Sequence, residues 1–217
     1  AIMEGTNILK DKGIQTAKLD TEILLSKVLD KDRKYIILNK NKEIQKKNLE
    51  YFKKLIKERS FRKPIAYLIN KKSFWNSEFY VNADILIPRP ETELIVKNAI
   101  KFTKHKKKLH ILDIGIGSGC ILISILKERK TFYGTGIDIS KKCLNISKIN
   151  ALKQNVNNRL KLFKSNVDKF LIGKYDLIVS NPPYINKSKL KYLEEDVGKF
   201  EPRLALDGGL DGLSEIR

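Results

Sequence analysis

From Leu109 onward, short apolar runs alternate with segments of helical periodicity. A strand that is apolar throughout must be covered on both faces, and a parallel neighbour is reached only through a long crossover, usually a helix. The pattern therefore predicts an α/β architecture. Its parallel strands fall at about residues 109–114, 132–138, 159–165 and 175–180, with helices between them.

Upstream of Leu109 the pattern differs. Leu19, Ile23, Leu24, Val28 and Leu29 recur at helix spacing, with Asp20 or Thr21 placed to cap the start. A second helix is expected over Glu43–Arg59, where Leu49, Phe52, Leu55 and Ile56 form an apolar stripe and lysines occupy the solvated faces. Between Lys72 and Pro88, aromatic and β-branched residues (Phe74, Trp75, Phe79, Tyr80, Val81) surround Asn76-Ser77, which predicts a short hairpin. The expected organisation is a small helical domain over residues 1–72, a hairpin linker over 73–90 and an α/β domain over 91–217.

The 217 residues are 41% hydrophobic, enough for a packed core, yet no apolar run reaches the roughly 18–20 residues that span a bilayer. Ala1–Gly5 does not resemble a secretory signal, so the expected compartment is cytoplasmic and no membrane partner is expected. A formal charge of +19 would attract polyanions non-specifically. The excess is evenly shared, however, +9 over residues 1–90 and +10 beyond, so nucleic acid is not required as a partner. Lys104–Lys108 reads as a solvated connection. Cys120 and Cys143 lie in predicted helices without metal-ligand spacing and read as buried thiols. His105 and His110 read as surface positions, and no metal is expected.

Chemistry concentrates at two strand ends. Gly115-Ile116-Gly117-Ser118-Gly119 joins the first strand to a helix expected over Cys120–Lys130, where glycine permits a tight turn and lets a ligand approach backbone amides. By itself such a turn serves a dinucleotide equally well, or no ligand. The next strand ends in Asp138, which can accept hydrogen bonds from ribose hydroxyls. The fourth strand ends in Asn181-Pro182-Pro183-Tyr184. Alone, this is a rigid stop followed by a core aromatic. In this order with the glycine turn and Asp138, it resembles the class I methyltransferases that act on amide or exocyclic amino nitrogens.

An amide nitrogen is a poor nucleophile because its lone pair is delocalised into the carbonyl. If the Asn181 side-chain oxygen and the Pro182 carbonyl each accept one N–H, the nitrogen is held with its lone pair toward the methyl donor. Pro183 would fix the loop, and Tyr184 would pack against the planar amide. On this reading Asn181, Pro182 and Tyr184 are the catalytic residues, and Asn181–Tyr184 bind the substrate.

Three further segments narrow the resemblance: Arg62–Leu68, Phe74-Trp75 with Leu86–Glu93, and Phe200–Leu206 with Asp207–Leu213. Together they resemble the release-factor glutamine N5-methyltransferases over essentially the whole chain. The resemblance implies a Rossmann-like class I sheet preceded by a helical domain, and methyl transfer from S-adenosylmethionine, yielding S-adenosylhomocysteine. The acceptor it implies is the glutamine of a release factor's Gly-Gly-Gln loop. Gly115, Ile116, Gly117, Ser118, Gly119, Asp138 and Asn181 would bind the cofactor. Asn166 and Val167 stand where the family commonly has an acid and an aromatic beside the adenine, so Asn166 would keep a hydrogen bond and Val167 would offer less stacking surface. Family members continue through three more strands, so the chain reads as C-terminally truncated, with its fourth strand an open edge.

Competing readings are a glutamine methyltransferase of a ribosomal protein, a DNA adenine N6-methyltransferase, and a truncated module that binds without turnover. No added base-reading segment supports the DNA enzyme, and Pro88–Glu93 favours release factor. An NAD-dependent oxidoreductase would leave Asn181–Tyr184 without a role.

Overall fold

The computed structural model describes residues 1–217, and its contacts divide the chain into two units. The first comprises Ala1–Asn70 together with Glu194–Phe200. Its helices are α1 (Ile2–Asp11), α2 (Ala17–Leu29), α3 (Arg33–Leu38), α4 (Lys46–Ser60) and α5 (Ile65–Ile69). Leu9, Ile14, Leu24, Leu25, Ile36, Phe52, Leu55 and Ile56 form its core. Gly5 lets α1 lie close: a Cβ there would stand 3.1 Å from each of Ile56, Phe52 and Thr21.

The expected cap of α2 is not found. The helix begins at Ala17, three residues before Asp20, and Thr21 donates its hydroxyl to the Ala17 carbonyl at 2.7 Å. Asp20 turns inward instead and accepts from the buried Arg59 at 2.7 Å. The other arm of Arg59 bonds Asp196, at 2.6 Å, and the Lys63 carbonyl. The apolar stripe also differs, because α1, α3, α4 and α5 all pack on α2. Leu19 is therefore left exposed, whereas Asp20, Thr21 and Glu22 are buried.

The second unit comprises Lys71–Leu193 and Glu201–Arg217. It opens with the antiparallel hairpin of β1 (Lys71–Phe74) and β2 (Ser77–Tyr80). Phe74 and Phe79 lie edge to face in this unit's core, and the Trp75 amide donates to Glu93 at 2.7 Å. There follow α6 (Glu93–Phe102), β3 (His110–Ile114), α7 (Cys120–Glu128), β4 (Tyr133–Asp138), α8 (Lys141–Lys153), β5 (Leu160–Lys164) and β6 (Leu177–Ser180). The last helix, α9 (Glu195–Phe200), belongs to the first unit.

All four long-sheet strands are parallel, in the order β5-β4-β3-β6. Each lies within two residues of its expected position. Every residue of α7 from Cys120 to Leu126 is buried, which explains why its sequence is apolar all round. Burial pushes the Cys120 thiol up to about 12 and the less buried Cys143 to about 11, so both are held protonated. His110 is not a surface residue. It opens β3, half-buried and in register with Tyr133, with Nε2 3.3 Å from the Thr135 hydroxyl and its ring against Tyr175. No helix is long and apolar enough to cross a membrane.

Candidate functional site

Chain order and sheet order diverge at β3. From there the chain runs outward through β4 and β5, then returns to place β6 on the opposite side. A parallel sheet binds ligands beyond the carboxyl ends of its strands at such a reversal. The register sets Ile114 level with Ile137 on one side and with Ser180 on the other. Gly115, Asp138 and Asn181 thus leave three adjacent strands at one height, with neighbouring strands about 4.8 Å apart.

The glycine turn is built from its own backbone. The amides of Gly115 and Ile116 both donate to the Ile137 carbonyl, at 3.0 and 2.9 Å. Gly115, Gly117 and Gly119 have φ values of 72°, 53° and 80°, where side-chain-bearing residues are strained. A Cβ on Gly115 would meet nothing within 4 Å, so this part of the turn faces open space. Gly119 is closed in, since its Cβ would fall 2.6 Å from Ile123. Ile116 and Ser118 are buried. Ile116 fills the space left by Gly136, and the Ser118 hydroxyl accepts from the Cys120 amide at 3.3 Å. Their contribution to a ligand is therefore backbone.

Asp138 holds the turn and the following helix together: Oδ2 accepts from the Gly117 amide at 3.0 Å and Oδ1 from the Ser140 amide at 2.8 Å. Each carboxylate oxygen keeps lone-pair capacity for a further donor. Beside it, past the end of β5, Asn166 and Val167 are exposed, with Asn166 Oδ1 accepting from the Lys169 amide. Asp113, on β3, is only 1% exposed, and neither of its oxygens has a hydrogen-bond partner. Burial raises its carboxyl to about 8, a shift that the nearby Leu122 amide only partly offsets and the charge of Asp138 reinforces. An open cradle over Gly115 and a carboxylate at Asp138 with lone-pair capacity to spare suit a cofactor bearing an adenosine.

On the other side of β3, the Ser180 hydroxyl donates to the Ile114 carbonyl at 2.9 Å and fixes the exit of β6. The Asn181 amide nitrogen lies 3.4 Å from the hydroxyl of buried Thr92, which directs Oδ1 to the other side of the planar amide. Pro182 and Pro183 are half-buried, and Tyr184 is 63% exposed, so its ring is not a core aromatic.

Several residues that shape the site are not among those singled out from sequence. On α8, Ser147 donates to the Gly117 carbonyl at 2.7 Å. Asn150 donates to the Ser118 carbonyl and pairs with both backbone groups of Tyr80. The available signal was polar residues at helix spacing within the buried stripe Ile146, Ser147, Asn150 and Ala151. Arg89 pairs with Glu201, at 2.6 Å. Glu201 is buried and also accepts from the Ile87 amide at 3.1 Å, so it holds the Ile87–Arg89 segment that leads into Thr92.

Residues 1–69 match the PrmC N-terminal domain, and residues 91–209 match the methyltransferase small domain. The release factor glutamine methyltransferase of Caulobacter vibrioides is 37% identical over 210 residues, which are 96% of this chain and 73% of that protein. Its counterpart from Clostridium botulinum is 38% identical over 215 residues, 98% of this chain and 76% of that protein. The four-stranded parallel sheet is the Rossmann-like sheet of a class I S-adenosylmethionine-dependent methyltransferase, and the chain belongs to the release factor glutamine methyltransferase family.

Proposed function

We propose that this protein transfers a methyl group from S-adenosylmethionine to the N5 amide nitrogen of the glutamine in the Gly-Gly-Gln loop of peptide-chain release factors, and so modulates translation termination. The observation that carries the reading is the common height of Gly115, Asp138 and Asn181 on three adjacent parallel strands. That arrangement supports a donor held over the glycine turn and an acceptor held by the tetrapeptide beside it.

When bound, the cofactor supplies an electrophilic methyl on a sulfonium. Gly115–Gly119 would present backbone to it, Asp138 would accept from its ribose, and Asn166 and Val167 would stand beside its adenine. Asn181 Oδ1 and the Pro182 carbonyl accept the two N–H groups of the glutamine amide. This fixes the nitrogen and directs its lone pair at the methyl, so positioning supplies much of the rate. Pro183 stiffens the loop, and the exposed ring of Tyr184 lies along the flat amide. As the nitrogen–methyl bond forms the sulfur–methyl bond would break, and the cationic methylated nitrogen would release one proton to solvent, leaving the N-methylamide and S-adenosylhomocysteine.

In this reading residues 1–72 recognise the release factor, 73–90 link, and 91–217 carry catalysis. A substrate from the translation machinery places the protein in the cytoplasm, with neither membrane nor nucleic acid required. The test is mass spectrometry of release factor incubated with the protein and S-adenosylmethionine, beside a variant whose loop glutamine is alanine. One added methyl, absent from the variant, is expected. Methylation of ribosomal protein or of adenine instead, with release factor untouched, would overturn the reading.

A further inference from the structure

The chain returns to the tetrapeptide after leaving it. Ile185 and Asp207 form a parallel bridge, and three backbone hydrogen bonds lace the segments together. The Ile185 amide donates to the Leu206 carbonyl at 3.1 Å, the Gly208 amide to the Ile185 carbonyl at 2.9 Å, and the Lys187 amide to the Gly209 carbonyl at 2.8 Å. Asp207 accepts from the Gly209 amide, and the Ser214 amide donates to the Gly208 carbonyl, closing the return loop on itself.

Two glycines of this loop abut the tetrapeptide backbone. A Cβ on buried Gly208 would stand 2.8 Å from Tyr184 Cα and 2.9 Å from both the Pro183 and the Gly212 oxygens. A Cβ on Gly212 would stand 2.6 Å from the Tyr184 oxygen. All of these neighbours are backbone atoms, so no side chain can swing aside to make room. Gly212 also has a φ of 83°, which makes any substitution there strained for a second reason. Gly208 does not: its φ lies outside the left-handed region, so a side chain there tests close approach alone.

We infer that the Leu206–Gly212 loop is a brace that sets the position of Pro183 and Tyr184, with Gly208 as the positioning residue because only a bare Cα fits beneath them. The inference rests on the proposed role of Asn181–Tyr184 in holding the acceptor amide. Small displacements of a group that orients a poor nucleophile act on the turnover step more than on distant binding sites. The glycine turn and Asp138 belong to β3 and β4, away from the Ile185–Asp207 bridge in the chain.

The experiment compares the wild-type chain with Gly208→Ala and with Leu210→Ala, a substitution at an 85% exposed position of the same loop. Steady-state methyl transfer to release factor, cofactor affinity by calorimetry and thermal unfolding are measured for each. Gly208→Ala is expected to lower kcat about tenfold or more, with cofactor Kd within about twofold of wild type, while Leu210→Ala stays near wild type. A folded Gly208→Ala protein with wild-type kcat would overturn the inference. So would a loss of kcat matched by an equal loss of cofactor affinity. Amide hydrogen exchange on the wild type decides the matter if Gly208→Ala does not fold. The amides of Ile185, Lys187 and Gly208 should exchange at least about tenfold slower than in the unfolded chain, and unprotected amides would remove the brace. Failure of the wild type to methylate release factor would count against the proposed function, and the exchange result would still judge the brace.

Discussion

Asn181 and Asp113 stand a strand apart and are placed for different work. Asn181 is half-buried and oriented by Thr92. Replacing it with alanine removes one of two acceptors for the substrate amide and leaves the glycine turn and Asp138 untouched. Asn181→Ala is expected to abolish methyl transfer while S-adenosylmethionine affinity by calorimetry changes less than about threefold; wild-type turnover would remove Asn181 from the mechanism. Asp113 is the opposite case, an acid sealed in the sheet with its carboxyl raised from 3.8 to about 8. Because the folded state holds this proton more tightly than the unfolded chain, its contribution to stability is full below about pH 4. It is lost as the pH rises toward about 8, at no more than about 1.4 kcal/mol per pH unit. Asp113→Asn should therefore flatten the stability profile of the ligand-free protein between about pH 4 and pH 8, measured by urea unfolding. An unchanged slope would mean that the acid is ionised at neutral pH.

At the scale of elements, α8 organises the unit more than its sequence suggests. It fastens the hairpin through the backbone of Tyr80 and the glycine turn through the carbonyls of Gly117 and Ser118, using Asn150 and Ser147. Removing the fully buried Asn150 side chain leaves three backbone groups, one of them fully buried, without their partner. Asn150→Ala is expected to cost about 2–3 kcal/mol in denaturant unfolding and to weaken cofactor binding as the turn loosens. Equal stability with unchanged affinity would show that other groups satisfy those atoms. The strands and their connecting helices were legible because an apolar run between turn signals has few other uses. The inward face of α8 was not, because Ser and Asn in a helix look solvated until a backbone carbonyl is found opposite them.

Across the whole molecule, sequence order and spatial grouping part company. The first unit takes Glu194–Phe200 from far downstream, and its buried Arg59 bridges Asp20 in α2 to Asp196 in α9. A guanidinium is suited to this because its planar fork can meet two carboxylates at once. Arg59→Leu leaves the carboxylate of Asp20 buried and unpaired, an expected loss of about 3–5 kcal/mol, together with faster amide exchange across residues 195–200. Adding Asp20→Leu should recover part of that stability. If it recovers nothing, packing and not the stranded charge set the cost.

Local periodicity and composition determined the parallel α/β sheet, the glycine turn, the acid after it and the tetrapeptide, since each is written in a few consecutive residues whose conformation or chemistry leaves little choice. The helices α1, α3 and α5 went unread because short helices draw much of their stability from packing on α2 and α4, not from their own sequence. Only the tertiary structure decided that Asp20 is an ion-pair partner and not a cap, that Arg89 meets Glu201, and that Gly208 lies beneath Tyr184. These pairings join residues distant in the chain, so nothing in the spacing of either partner announces the other.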